Sequence, residues 1–182
     1  MKQSIHVWHL ETNTPAPAPI VEDANESYVL KLVDTPLPEF SRFLYVAVGA
    51  SCLWYMRLQW DYQQWCEVLN NKNIQTWVAY RNGTPIGYFE LEKQAEGSTE
   101  ICYFGLLPAF IGQGLGKKLL ADAIGKAWSL GGKRVWLHTC SLDHPSALQN
   151  YLSRGFTIFK QEDLIEDVPD QPIQPWPHAN RR

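Results

Sequence analysis

No apolar run in this sequence reaches the ~20 residues that a membrane-spanning helix needs. The first residues are polar and then proline-spaced, so they do not read as a signal peptide. Cysteine is sparse and scattered, and Cys52, Cys66, Cys102 and Cys140 form no C-x-x-C pair. That pattern indicates neither a zinc site nor a disulfide framework, and no metal is expected. The four thiols read as buried residues of a reducing compartment, which makes the cytoplasm the expected location. Positive charge is not in excess either. Lys and Arg number 16 against 19 Asp and Glu, a net charge of −3. General electrostatic affinity for nucleic acid is therefore not expected, and neither is a membrane partner.

What is present is apolar and aromatic. Hydrophobic residues make up 45% of the 182 residues and aromatics 13%, which argues for a folded domain with a substantial core. Residues 1–20 read as an arm holding one strand-like run, SIHVWHLE, and a TPAPAPI spacer. Residues 21–163 read as the domain. Residues 164–182 carry four prolines and read as a tail that cannot form a regular helix or a central strand. The arm is expected to add His6–Glu11 as an edge strand or to pack over the sheet.

Within the domain, Tyr28–Val33 alternates as a strand does, and Glu39–Val48 and Tyr62–Leu69 have helical spacing. Ile74–Tyr80 and Thr84–Lys93 flank Asn82-Gly83, a hairpin signal. Thr99–Leu107 is apolar nearly throughout, as expected of a strand buried on both faces. From Gly112 to Leu130 two stripes, Leu115/Leu119/Ala123/Ala127 and Leu120/Ile124/Trp128, make one broad buried helix face. Lys133–Cys140 is a strand, Pro145 opens a short helix with Gly155 as its cap, and Phe156–Lys160 is a last strand. The order predicts an α/β protein, a mixed sheet with helices on both faces.

Phe104–Gly116 reads FGLLPAFIGQGLG. A strand leads through a proline turn into Gly112, Gly114 and Gly116, and then into the amphipathic helix. Backbone N–H groups exposed at a helix N-terminus form an anion site suited to a pyrophosphate. The segment is not a P-loop, because no Gly-Lys-Ser/Thr closes it, and its spacing does not fit a dinucleotide fingerprint.

Two motifs in order, Ile111-Gly112-Gln113-Gly114-Leu115-Gly116 and Ala147-x-x-x-Tyr151-x-x-x-Gly155-Phe156, resemble the signatures of the GNAT superfamily of N-acetyltransferases. The resemblance covers roughly residues 26–163. It implies the GNAT fold, acetyl-CoA as cosubstrate, and direct transfer to a primary amine of a small molecule or peptide. It also leaves room for a homodimer. By the same resemblance Tyr151 is the general acid and Glu100 the general base, directly or through water, with Glu90 and Glu92 in reserve. Phe104, Gly105 and Leu106 would bond the pantetheine arm through their backbone. The amides of Ile111, Gly112, Gln113, Gly114, Leu115 and Gly116 would hold the pyrophosphate, helped by Gln113, Lys117 or Lys118, with Arg154 also able to reach CoA phosphates. Two positions depart from the pattern. Ile111 stands where Arg or Gln is usual, and His144 stands where Asn often contacts the pantetheine.

Trp54, Tyr55, Trp60, Trp65 and Trp77 fall where such proteins build the acceptor pocket. Two other readings remain open at this level. One is a non-catalytic acyl-CoA-binding module. The other is a hydrolase built on His138, Cys140, Asp143 and His144, although sequence neighbours seldom make a triad and Asp143 or His144 can be a helix cap.

Overall fold

A computed structural model describes residues 1–15 and 28–170. The spacer beyond Pro15 and the tail beyond Asp170 lie outside the described residues. Seven strands form one sheet in the order β2-β3-β4-β5-β6-β1-β7. They are β1 (Lys2–Thr12), β2 (Val29–Leu32), β3 (Ile74–Arg81), β4 (Thr84–Lys93), β5 (Ser98–Leu106), β6 (Arg134–Cys140) and β7 (Thr157–Asp167). The helices are α1 (Pro38–Gly49), α2 (Tyr62–Leu69), α3 (Leu115–Ser129) and α4 (Ala147–Leu152).

Helix α1 starts with proline in its first turn, where no intrahelical N–H is lost. Helix α2 starts with a capping box, in which Asp61 accepts from the Gln64 N–H and Gln64 answers to the Asp61 N–H. Both stripes of α3 are inward. Leu115, Leu119, Leu120, Ala123, Ile124 and Ala127 are buried against Leu10, Phe89, Leu91, Ile101, Val135 and Leu137 of the sheet, and α4 adds Tyr151 to this core. Leu119→Ala would remove a fully buried side chain, at a typical cost of ~2–5 kcal/mol. On the opposite face Leu44 and Val48 of α1 pack on Val78 and Tyr88, and Trp65 of α2 meets Tyr45.

Every neighbouring pair of strands is antiparallel except β5 and β6, which are parallel for only three residue pairs, Ser98–Arg134 to Glu100–Trp136. Beyond Glu100 the two strands part. The cause lies on the other edge of β5, where the register with β4 slips between Glu90–Tyr103 and Leu91–Ile101 and leaves Cys102 unpaired. Such a bulge bends its strand and increases its twist.

Three expectations are corrected. First, β1 is interior and not an edge strand: it pairs with β6 from Val7 to Thr12 and with β7 from Lys2 to Glu11. Its alternation explains why, since Ile5 and Val7 serve one face while Leu10 serves the other. Second, the last strand does not stop at Lys160. It runs to Asp167, and Val168 is buried beside Ile5 and Val7, because the prolines begin only after that point. Third, Thr99–Leu107 is not buried on both faces. Tyr103 to Leu106 are half-buried because they border an open cleft.

Deleting residues 1–12 removes a strand hydrogen-bonded on both sides and exposes the edges of β6 and β7. The expected outcome is loss of the cooperative thermal transition followed by circular dichroism; a melt within a few degrees of the full chain would contradict the pairing.

Candidate active site

The divergence of β5 from β6 opens a cavity of about 730 Å³. Its walls are Ile101–Leu106 of β5, His138 and Cys140 of β6, the 111–117 loop, and His144, Ala147 and Tyr151 at α4. Past the last β5–β6 pair, backbone polar groups on the facing edge of β5 have no strand to bond, so they are available to a ligand.

At one end lies the glycine loop. Gly112 and Gly114 have φ of +82° and +79°, the left-handed region where only glycine is free of strain. Gly114 is the N-cap of α3 and no side chain caps that helix, so its first-turn amides are open. At Gly116 neither backbone strain nor crowding within the protein demands glycine, since a Cβ would meet only Leu106 Cδ1 at 3.7 Å. Gly116 nonetheless lines the cavity. A bare helix N-terminus beside it fits an anionic group brought close to the backbone. Ile111 and Lys117 also line the cavity, whereas Leu115 is buried in the core and offers only its amide. Gln113 turns away and donates to the Ala109 carbonyl at 2.9 Å. Lys118 pairs with Asp122 and covers the Tyr28 ring, and Arg154 donates to the Lys117 carbonyl at 3.1 Å. Among the expected cationic helpers, only Lys117 reaches the cavity.

Tyr151 sits in the wall with its ring edge-on to Phe104 at 6.4 Å. Burial, and then Asp143, push its phenol above its ordinary pKa, so it keeps its proton at neutral pH. His144 lines the cavity too, but its Nδ1 accepts from the Ser146 N–H at 3.2 Å, which leaves the other ring nitrogen for a ligand.

The carboxylates separate. Glu100 does not line the cavity; its Oε1 lies 3.6 Å from His138 Nδ1, and its Oε2 accepts from Gln94 Nε2 at 2.9 Å. Glu90 is buried and takes both arms of the Arg57 guanidinium, at 2.9 and 2.6 Å, so it holds a loop and is not free for chemistry. Glu92 accepts from Gln94 at 3.4 Å on the same face as Glu100. Arg57 was not legible as a site-building residue. It lies over the rings of Tyr103, Trp60 and Trp65, and it ties the segment between α1 and α2 to β4.

Of the aromatic group, Trp54 and Tyr55 line the cavity. Trp65 is core, Trp60 packs on it at 5.3 Å, and Trp77 stacks on Phe89. The hydrolase reading finds no geometry. Burial and Asp143 raise the Cys140 thiol, which disfavours a thiolate, and Asp143 is occupied by Thr139 and the Cys140 N–H.

The far side of the cavity comes from strands that the sequence reading treated as arm and tail. Ile5, Val7 and His9 of β1 face Glu162, Leu164 and Glu166 of β7 there. His9 Nε2 and Lys160 both reach Glu162 Oε1 at 2.8 Å, which lowers the pKa of that carboxyl, and the Tyr55 hydroxyl donates to Glu166 at 3.2 Å. Strand alternation within each segment was the available signal, but it does not say that the two strands pair.

A cleft between parted parallel strands, closed at one end by a glycine-opened helix, defines the class: an α/β protein whose sheet is split by a long cavity ending at a helix N-terminus. The model of the acetyltransferase (GNAT) family matches residues 35–156, and the chain belongs to that family. No curated protein matches it. Among solved structures, it is similar to a GCN5-related N-acetyltransferase from Sphaerobacter thermophilus, with TM-score 0.67 and 17% identity over 92% of this chain and 53% of that one. A GCN5-related N-acetyltransferase from Kribbella flavida gives TM-score 0.60 and 18% identity over 97% and 60%. A Bacillus subtilis acetyltransferase solved in complex with CoA gives 0.52 and 20% over 71% and 76%. The chain thus spans about half to two thirds of the length of the first structures it matches, and these likenesses show the fold. Strands β1 and β7 lie outside the family match yet line the cavity.

Arg57→Ala would leave Glu90 buried without its partner. Losing one member of a buried pair typically costs ~3–5 kcal/mol, so chemical denaturation should show destabilisation of that order. A loss below about 1 kcal/mol would mean that the pair does not anchor the loop.

Proposed function

We propose that this chain is an acetyl-CoA-dependent N-acetyltransferase that passes the acetyl group directly to a primary amine of a small molecule or peptide. One observation carries the reading: the cavity joins an anion-binding helix end, an unpaired strand edge and the Tyr151 hydroxyl in one continuous space. Acetyl-CoA, when bound, supplies an acyl group activated as a thioester.

The residues divide the remaining work. Amides of the Gly112–Gly116 loop and Lys117 hold the phosphates. Backbone groups of Phe104, Gly105 and Leu106 would run along the pantetheine, and an N–H on that edge would be available to the oxygen on which negative charge develops. His144 borders the same channel. Tyr151 holds a proton for the leaving sulfur, as a phenol with a raised pKa can. The acceptor loses its proton at the Glu100 end. Asp143, Glu162 and Glu166 line the cavity, where Lys117 is the sole Lys or Arg among the described residues, which suits an acceptor that arrives as a cation.

Among the described residues no helix is long and apolar enough to cross a membrane. We propose a cytoplasmic location from its four scattered free thiols.

Thiol release from acetyl-CoA with a panel of primary amines tests the reading. Turnover with at least one amine is expected; cofactor binding without turnover of any amine would support the binding-module alternative. Tyr151→Phe keeps the ring and should lower kcat at least ~10-fold with the melting temperature and cofactor affinity unchanged. Normal turnover by that variant would remove Tyr151 from the acid role. Gly116→Val should abolish acetyl-CoA binding in calorimetry while Ile111→Ala changes it little, and the reverse order would exclude the loop. Gly114→Val is the less clean probe, because it also strains the backbone.

A further inference from the structure

We propose that His138 takes the proton from the acceptor amine, with Glu100 as the positioning residue behind it. This rests on the acetyl-transfer reading above. Glu100 ends the parallel pairing of β5 with β6, opposite Trp136. Two residues further along β6, on the same face, His138 is the first side chain past the point where the strands part. The His138 side chain is 43% exposed and lines the cavity, while that of Glu100 is 13% exposed and does not. A base must reach the amine, and of these two only the imidazole borders the space where an acceptor fits.

The pair is held from behind. Trp136 Nε1 donates to Gln94 Oε1 at 2.9 Å, which fixes the amide so that Gln94 Nε2 faces Glu100 Oε2, also at 2.9 Å. The other oxygen, Oε1, is left facing His138 Nδ1 at 3.6 Å. Nδ1 is the ring nitrogen beside this carboxylate, so a proton there leaves the lone pair on Nε2, the nitrogen farther from it. The transfer balances. The acceptor ammonium gives one N–H proton to Nε2, and the freed nitrogen pair bonds the acyl carbon as the carbonyl π pair moves to oxygen. When that pair returns, the C–S bond breaks, the sulfur takes the Tyr151 proton, the second N–H proton restores the phenol, and the imidazolium beside Glu100 gives its proton to solvent.

The charged groups around the ring come from several elements. Glu100 on β5 raises the pKa of His138 most, burial opposes this, and Asp143 after β6 adds to the rise. His9 of β1 lies 6.0 Å away between ring centroids, and Glu162 of β7 engages its Nε2. The His9 side chain is only 17% exposed, against 43% for His138, so His138 presents more of its ring to an acceptor. Because the base must be neutral, the rate should climb with pH through a value above that of an ordinary imidazole, and it should fall as pH drops below it.

Wild type, His138→Gln and Glu100→Gln are compared for thiol release across pH, using acetyl-CoA and three amine probes: tryptamine, putrescine and a lysine-terminated peptide. His138→Gln should lower kcat ~10²–10⁴-fold with KM and calorimetric acetyl-CoA affinity unchanged, and the acid limb should vanish. Glu100→Gln should cost less and move that limb to lower pH. The His138 ring titration followed by NMR should move the same way, which a purely structural glutamate would not produce. Melting temperatures confirm that both variants fold, and His138→Asn replaces the Gln variant if that one does not. A kcat for the His138 variant within about threefold of wild type overturns the proposal, as does an acid limb that stays in place in Glu100→Gln. A wild-type chain inert towards all three amines removes the proposal together with the reading on which it rests.

Discussion

The short parallel contact between β5 and β6 is the constraint on which the rest of the site depends. A parallel pair would ordinarily continue as far as both strands extend, because each unpaired backbone group inside a sheet forfeits a hydrogen bond. Here pairing stops after Glu100–Trp136, and the extra residue Cys102 on the β4 side bends β5 away. The unsatisfied edge is then a binding resource. Its free groups face a gap that runs to the N-terminus of α3 and to Tyr151.

An opened sheet has to be stabilised elsewhere, and the two flanks do this differently. On one side the Arg57–Glu90 pair, covered by Tyr103, Trp60 and Trp65, fixes the segment that carries Trp54 and Tyr55 into the cavity. A buried pair of this kind adds little net stability by itself, but it is costly to break, so it holds one loop position. On the other side β1 lies between β6 and β7. Residues 2–12 bond along both edges of this strand, to β6 and to β7.

The cofactor end of the cleft is made by β5, the glycine loop and α4, all within the family match, whereas β1 and β7 lie outside that match and carry Ile5, His9, Glu162, Leu164 and Glu166 to the opposite wall. The two walls of the cleft are thereby held by different segments. The His138–Glu100–Gln94–Trp136 chain sits at the junction, anchored at the last residues that β5 and β6 share.

What the sequence by itself determined is local. The bounds of α2 and β4, the two buried stripes of α3, the Asn82-Gly83 hairpin and the glycine-opened helix all follow from periodicity, capping and turn chemistry, which act over a few residues. The two motifs likewise marked the loop and the Tyr151 helix. Tertiary structure alone decided what depends on partners distant in the chain. It put β1 inside the sheet, carried β7 on to Asp167, exposed one face of β5 to a cleft, and turned Glu90 to Arg57 and Glu100 to His138. The reason is physical: a strand's alternation states which side chains share a face, but not which strand lies beside it. A carboxylate becomes a structural anchor or a neighbour of the reaction according to the cation or imidazole that folding brings within a few ångströms.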